Sequence, residues 1–496
     1  MKSRRLFLKS LAAAGPVAAA GCAVSSRSTA RPHASAARPP RRILHLVADG
    51  MGSGIVACAN HFSQLTRHRE LTWLAMTRQD GTNHGLMDVR SQNSLVTDSS
   101  ASASAWGSGV RIPNGQVNQS STGTKLVTLY ELLGAAGWKR GLVTTTEITH
   151  ATPAGFAACT KSRNAADEIA AQYFERRVEV LMGGGRKFFA PGSRKDKRDL
   201  KGDFHKAGYA VMEKPSDLAS APVDQPILGL FTDSHLPYVV DIEGGISKVD
   251  NVPSLAAMTR VALRRLVRED RFILQVEGGR VDMGCHNNDA AAAIREMIAF
   301  DEAIDACLEF QREHPDTLLV ITTDHATGNP GLNGMGDAYA KSNQMFRNLL
   351  SVRQSVPELT RKLLVAETPA AFARTMFDST GYLISTRRRE LLDPFLRKKG
   401  YALFEVMSAD VAAMGQVLAN HTGIGFTSTA HTSDYVPVLS RGPGSEAFGG
   451  FIRNTEIFER YVDFAGVDFR NRQETLVADY QSEPGSAERV SEYAWG

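Results

Sequence analysis

The chain of 496 residues is long enough for one large domain or two, and its 43% hydrophobic and 22% charged residues are those of an ordinary globular protein. The formal net charge of +4 arises from Lys2, Arg4, Arg5 and Lys9, which lie in the first 21 positions without an acid; beyond them 53 of the 57 basic residues meet 53 acidic ones. That balance excludes the basic footprint of a nucleic-acid-binding surface, and no stretch is long and apolar enough to span a bilayer.

In chain order, residues 1–21 read as a targeting segment. Ser3-Arg4-Arg5-Leu6-Phe7-Leu8-Lys9 resembles a twin-arginine export signal, and a run of small residues follows to Gly21. Ala19-Ala20-Gly21-Cys22 resembles a lipobox, which would put a lipid on Cys22; plain cleavage at a small-residue site is the alternative. The expectation is export to the periplasm or cell surface, with membrane attachment only through a lipid on Cys22. Residues 22–41, rich in Ser, Ala, Arg and Pro, read as a flexible tether. Cys58, Cys159, Cys285 and Cys307 form no CxxC pair, which argues against a cysteine-based zinc site. An exported protein can form one or two disulfides, whose pairing is not legible, and Cys285 reads as a buried structural thiol.

The main domain, residues 42–480, opens on a strand over Ile43–Val47 that ends in Asp49-Gly50-Met51-Gly52. Leu95-Val96-Thr97-Asp98-Ser99 then leads into a run of very small residues, where a helix is expected to begin. Residues 128–146 read as helix, glycine turn and strand, ending just before Glu147–Pro153. Val178–Met182 is a strand stopped by Gly183-Gly184-Gly185, and Leu255–Arg268 a helix. The strand Phe272–Val276 breaks at Glu277-Gly278-Gly279 and delivers Asp282 and His286, four residues apart. The helix that follows carries Ile294, Met297, Ile298, Ile304 and Leu308 at helical spacing and ends by Pro315. Leu318–Ile321 is a strand running into Thr322-Thr323-Asp324-His325. Residues from about 331 to 426 form a series of amphipathic helical segments, read as an insertion or cap. Thr427–Leu439 returns a histidine, His431, and another strand. Residues 481–496 are a polar tail.

Alternating strands and helices predict an α/β fold with a large, mostly parallel sheet and helices on both faces. Asp49, the Thr146–Thr152 region, Glu277 and Asp324-His325 all fall at the carboxyl ends of strands, where the ligand crevice of an open α/β sheet lies. Taken singly these features stay ambiguous. Asp282 and His286 read equally as a metal site or as a turn and a polar helix start, Ser99 as an N-cap, and Arg163 as a surface residue. Isolated histidines such as His84 and His235 read as surface or structural. Gly183-Gly184-Gly185-Arg186 lacks the Lys-Ser/Thr pair of a phosphate loop, and no G-x-S-x-G elbow surrounds Ser99.

Together the motifs resemble the alkaline phosphatase family. The resemblance rests on VADGMG around Asp49, VTDSSASASAWGSG around Ser99, HATPAG at His150–Gly155, Ser162-Arg163, LMGGGR, VEGGRVD, TTDHATG and TSTAHTSDYVPV. Their order and spacing match from roughly residue 42 to 442, outside the insertion. The resemblance implies a three-layer sandwich with a helical cap and hydrolysis of phosphate monoesters through a phosphoserine at Ser99. It implies two Zn²⁺, one held by Asp282, His286 and His431 and one by Asp49, Asp324 and His325, and one Mg²⁺ held by Asp49, Thr152 and Glu277. Arg163 would clasp two phosphate oxygens through its planar fork. A homodimer is implied too, since members are often dimers. Two positions depart from parts of the family. His150 stands where some members have Asp, beside the third metal, and Met283 where well-studied members have Lys or His to position phosphate. The other readings are a phosphodiesterase or sulfatase-like metallo-hydrolase of the same superfamily, and a non-catalytic surface-binding protein on this scaffold.

Overall fold

The computed structural model describes residues 39–246 and 251–473. The segment read as an export signal, Cys22, nearly all of the segment read as a tether and the polar tail lie outside the described residues. The principal element is a ten-stranded sheet. Its strands are β1 (Arg42–Val47), β2 (Thr82–Asp88), β3 (Lys139–Glu147), β4 (Val180–Gly184), β5 (Ala210–Met212), β6 (Ile227–Leu230), β7 (Phe272–Glu277), β8 (Thr317–Thr322), β13 (Val436–Arg441) and β14 (Gly450–Arg453). Between β8 and β13 the chain forms two small ribbons. One pairs β9 (Ala326–Thr327) with β12 (His431–Thr432), the other β10 (Gly331–Leu332) with β11 (Ile424–Gly425). The order across the sheet is β14-β2-β13-β8-β1-β7-β3-β4-β6-β5, and only β13 runs against its neighbours.

The central strands bury both faces, so they read as continuous apolar runs rather than alternating ones. Along β1, Ile43 and Val47 pack into one hydrophobic layer while Leu44 and Leu46 pack into the other. The first layer contains the helices Ser99–Ser108, Leu129–Ala135 and Thr455–Phe464; the second contains Ser53–Arg67, Leu255–Leu266 and Ala290–Glu313. The last helix ends one residue before His314-Pro315, since proline cannot continue the backbone ladder.

Four strands carry too weak a sequence signal to be anticipated: β2, β5, β6 and β14. Each is short or interrupted by glycine and histidine, and each gains its identity from a neighbour already in the sheet. β4 runs through Gly183 and Gly184 rather than stopping before them, because β3 and β6 pair with those glycines. The Leu95–Asp98 stretch is loop up to the helix at Ser99. The four described cysteines are all buried free thiols. No helix among the described residues is long and apolar enough to cross a membrane.

The β10–β11 ribbon brings residues 331 and 425 together, so the segment between them leaves and rejoins the domain at one place. Its helices, among them Val356–Leu364, Pro369–Thr380 and Asp410–Thr422, gather around a separate small core that includes Leu359, Phe372, Met376 and Met414. The start of Val356–Leu364 is tied to the main domain. Asp241 accepts from the backbone N–H and the hydroxyl of Ser355 at 2.7 and 2.8 Å, and Asp289 accepts from Val356 N–H at 2.6 Å.

Candidate active site

The register of the central strands brings their carboxyl ends level. Val47 of β1 lies opposite Glu277 of β7 on one side and Thr322 of β8 on the other. Asp49 and Asp324 each follow two residues beyond those positions, so three carboxylates from distant parts of the chain meet at one rim. The turn after Asp49 depends on Gly50, whose φ is +73° and where a Cβ atom would lie 2.6 Å from Asp282 Oδ1. A side chain at this position would push the two acidic residues apart.

Around Asp49 the chemistry is that of concentrated, buried negative charge. Neither Asp49 oxygen makes a hydrogen bond, nor does Asp324 Oδ2 or Glu277 Oε1. Burial and the nearby carboxylates of Asp324, Asp282 and Glu277 push Asp49 well above the usual carboxylate range. Burial raises Glu277 to about 7 against the hydroxyl of Thr144, which donates to it at 2.5 Å. Buried ionised groups are retained where a cation or hydrogen bonds compensate them. His325 points its Nε2 into this cluster, 3.2 Å from Asp324 Oδ2 and 3.5 Å from Asp49 Oδ1.

Asp282 and His286 lie one helical turn apart on the short helix Arg280–His286, with His286 Nε2 3.3 Å from Asp282 Oδ2. His431 joins them because β12 pairs with β9, immediately after Asp324-His325. His286 Nδ1 is 2.6 Å from the carbonyl of Thr429 and His431 Nδ1 is 2.8 Å from that of Thr97. A carbonyl only accepts, so each ring carries its proton on Nδ1. The Nε2 lone pairs then face each other at 2.9 Å. Facing lone pairs repel unless a cation lies between them, and this is the second-atom arrangement that orients metal-binding imidazoles. Burial holds His431 down at about 4.

Three groups of ligating side chains thus have their donor atoms within 4.8 Å of one another: Asp282, His286 and His431; Asp49, Asp324 and His325; and Asp49, His150 and Glu277. The first two combine carboxylate and imidazole donors, which suit Zn²⁺. The third brings in His150, read from the sequence as a neighbour of the third ion rather than a member of its donor set. Its Nδ1 is buried without a hydrogen bond, as is Thr152 Oγ1. The residues present fit divalent cations at all three places.

Ser99 is the first residue of the helix Ser99–Ser108, whose free N–H groups and dipole favour an anion. Its Oγ lies 3.1 Å from His325 Nε2. The small residues of this helix have a packing cause. It crosses the helix Ala151–Ala157 so closely that a Cβ on Gly107 would stand 1.7 Å from the carbonyl oxygen of Gly155. Arg163 donates from Nη1 to Asp98 at 3.2 Å, and its Nη2 is 3.3 Å from His150 Nε2. Met283 is half-buried and its thioether accepts from Arg280 Nη1. The site opens into a cleft of about 850 Å³, lined on one side by His150, Arg163, Asp282 and Met283 and on the other by Ser355, Glu358 and Asp410 of the helical segment.

Sequence reasoning missed several supporting residues. Asp98 caps the Ser99 helix through Ala101 N–H at 2.8 Å, accepts from Gly115 N–H at 2.9 Å and holds Arg163. Thr327 donates to Asp282 at 2.5 Å. Thr144 and Thr146 both reach Glu277. Asp98 adjoins Ser99 and could have been singled out as an N-cap, while the threonine contacts have no local signature. His235, set aside as structural, accepts from Glu147 N–H at 3.0 Å and lines the cleft. His84 lies exposed in β2, away from the site.

The alkaline phosphatase family model matches residues 40–467. The chain is 31% identical to alkaline phosphatase 3 of Bacillus subtilis over 429 residues, covering 84% of this chain and 87% of that one. It is 30% identical to the alkaline phosphatase of Escherichia coli over 366 residues, covering 64% and 78%. Among solved structures, the alkaline phosphatase of Thermus thermophilus superposes with a TM-score of 0.83 at 33% identity, covering 89% of this chain and 94% of that one.

Proposed function

The chain belongs to the alkaline phosphatase family and is a phosphatase; from that premise we propose that it hydrolyses phosphate monoesters through a phosphoserine formed on Ser99. The observation that carries this reading is Ser99 Oγ at the head of a helix, 3.1 Å from His325 Nε2 and beside the buried carboxylates of Asp49 and Asp324. In the first step Ser99 Oγ forms a bond to phosphorus and loses its proton while the bond from phosphorus to the ester oxygen breaks, and the ester oxygen leaves as the alcohol after taking up a proton. In the second, water forms the new bond to phosphorus, Ser99 Oγ is released and regains a proton, and inorganic phosphate leaves.

The residues divide this work. The helix N-terminus after Asp98 orients N–H groups toward the phosphoryl group, and Arg163, held by Asp98, offers its fork to two phosphoryl oxygens. Asp49, Asp324 and His325 would hold one Zn²⁺ and Asp282, His286 and His431 another. Asp49, Thr152 and Glu277, with His150 in reach, would hold Mg²⁺. Such ions supply Lewis-acid stabilisation of the attacking and leaving oxygens. Thr327 on Asp282, and the carbonyls of Thr429 and Thr97 on His286 and His431, fix the orientation of the donor groups.

The test is turnover by purified protein on a monoester, a diester and a sulfate ester, with Ser99→Ala alongside. Monoester turnover should dominate, and Ser99→Ala should lower it on the order of a thousandfold. Equal or greater turnover of the diester would favour a phosphodiesterase, and an active Ser99→Ala enzyme would remove the covalent step. Export by the twin-arginine route with a lipid on Cys22 is part of the same proposal, resting on Arg4-Arg5 and on Ala19–Cys22. Mass spectrometry of the mature N-terminus from cells checks it, and an unmodified terminus upstream or downstream of Cys22 would refute the lipid.

A further inference from the structure

Arg280 is a cation in the cleft with which no carboxylate among the described residues forms an ion pair. Its guanidinium lies 3.7 Å from the ring centroid of Tyr238, and its Nη1 donates to the Met283 thioether. Its Nε has no hydrogen-bond partner, and among the described residues it makes no ion pair. The arginines around it are already committed, Arg163 to the phosphoryl group and the others to carboxylates. Arg163 is held by Asp98, Arg361 by Glu358 and Arg295 by Glu243. Asp241 and Glu296 feel the charge of Arg280. Both direct oxygens to backbone N–H groups, of Ser355 and Val239. Tyr238 is itself fixed, buried and accepting from Asn287 Nδ2 at 3.0 Å. The arginine is therefore braced on an aromatic face and anchored to a weak thioether acceptor, with most of its donor fork unspent.

Arg280 lies two residues before Asp282 and faces the same cleft as Arg163 and His150. A cleft of about 850 Å³ is in the size range of pockets that enclose whole small molecules. It has room for a leaving group as well as a phosphoryl group. We propose that Arg280 is an anion subsite for the leaving group, so that the enzyme favours phosphate monoesters whose leaving group carries its own carboxylate or phosphate. Planar guanidinium suits both anions through paired N–H···O bonds. Tyr238 positions the guanidinium, and Met283 leaves it free where a lysine or acid would repel or neutralise it.

This inference rests on the monoesterase reading, and phenyl phosphate tests that reading separately. Phenyl phosphate and 4-carboxyphenyl phosphate are compared in the unmodified enzyme, in Arg280→Gln and in Arg280→Lys, with thermal melts to check folding. Turnover of phenyl phosphate by the unmodified enzyme is the arm on which the monoesterase reading depends. The unmodified enzyme should show a kcat/KM about tenfold higher for the carboxylated ester. Arg280→Gln should collapse that ratio to near one, and Arg280→Lys should retain part of it. A ratio near one in the unmodified enzyme, or a ratio unmoved by Arg280→Gln, overturns the subsite. So does a proportional loss on both esters with weaker inhibition by inorganic phosphate, which would put Arg280 on the transferred phosphoryl group instead. A pair of bisphosphate and monophosphate alkyl esters distinguishes a phosphate-selective subsite from a carboxylate-selective one.

Discussion

Removing divalent cations should destabilise the whole domain, and the size of the loss follows from the polar atoms left behind. Five buried oxygens at the site have no well-formed hydrogen bond among the described residues: both of Asp49, Asp324 Oδ2, Glu277 Oε1 and Thr152 Oγ1. Leaving a buried acceptor unsatisfied costs about 1–3 kcal/mol, so the five together come to roughly 5 kcal/mol at the lower end. Mutual repulsion of Asp49, Glu277, Asp282 and Asp324 adds to this. Binding returns the same stability by mass action, about 2.7 kcal/mol for one site at a hundredfold excess over Kd. Trp106 and Trp138 are both buried, one in the Ser99 helix and one at the foot of β3, and their fluorescence reports unfolding in urea. Chelation should lower the apparent stability by roughly 5 kcal/mol, and added Zn²⁺ and Mg²⁺ should restore it. Asp49→Ala removes two of the five orphaned oxygens, so chelation should cost that variant roughly 3 kcal/mol instead of about 5. Coincident urea midpoints for chelated and cation-loaded protein would refute the assignment of these groups to cations.

Asp98→Asn keeps an N-cap acceptor for Ala101 N–H but replaces the oxygen that accepts from Gly115 N–H and Arg163. Inhibition by inorganic phosphate should weaken several-fold, and the unsatisfied Gly115 N–H should lower apparent stability by about 1 kcal/mol; unchanged phosphate inhibition would deny Asp98 its hold on Arg163. Glu296 gives a pH dependence of defined sign. Burial raises it to about 7 in the folded protein, so its contribution to stability is fully present below about 4.5 and is lost as pH rises through about 7. Glu296→Gln keeps an acceptor for Val239 N–H and should remove up to roughly 3 kcal/mol of that fall. Denaturant midpoints from pH 4.5 to 8 check this, and parallel curves for variant and parent would contradict it. Met283→Lys would place an ammonium beside Arg280 and the mouth of the site. It should tighten inorganic phosphate about three- to tenfold, and inhibition constants measure that directly.

The parts of this fold that were legible in the sequence are those set by short-range patterns. The buried strands β1, β7 and β8 are apolar runs long enough to recognise, and the acidic residues just past their ends mark the rim. The Asp282–His286 spacing is one helical turn and needs no tertiary knowledge. His431 is 145 residues beyond His286, and only the pairing of β9 with β12 explains why the two rings meet. The peripheral strands β2, β5, β6 and β14, at or next to the two edges of the sheet, carry no recognisable pattern because their residues are ordinary and their pairing partners define them. His150 was placed near the third donor group but not in it, since helix-start geometry decides which way its ring faces. Thr144 and Thr327 act through contacts across the sheet rim, for which the sequence carries no spacing rule, whereas Asp98 carries the local signature of an N-cap. The absence of a spacing rule holds also for the contact of Arg280 with Tyr238, whereas Met283 lies one turn along the same helix as Arg280.

The most direct test is to trap the phosphorylated enzyme. Purified protein loaded with Zn²⁺ and Mg²⁺ is mixed with inorganic phosphate or a monoester at acidic pH, quenched and digested, and the peptide spanning Ser91–Arg111 is read by mass spectrometry. A phosphate on Ser99, absent from Ser99→Ala and from chelated enzyme, is the expected result. Full monoester turnover with no phosphopeptide in rapid-quench samples, or a phosphate carried on a different residue of that peptide, would contradict it.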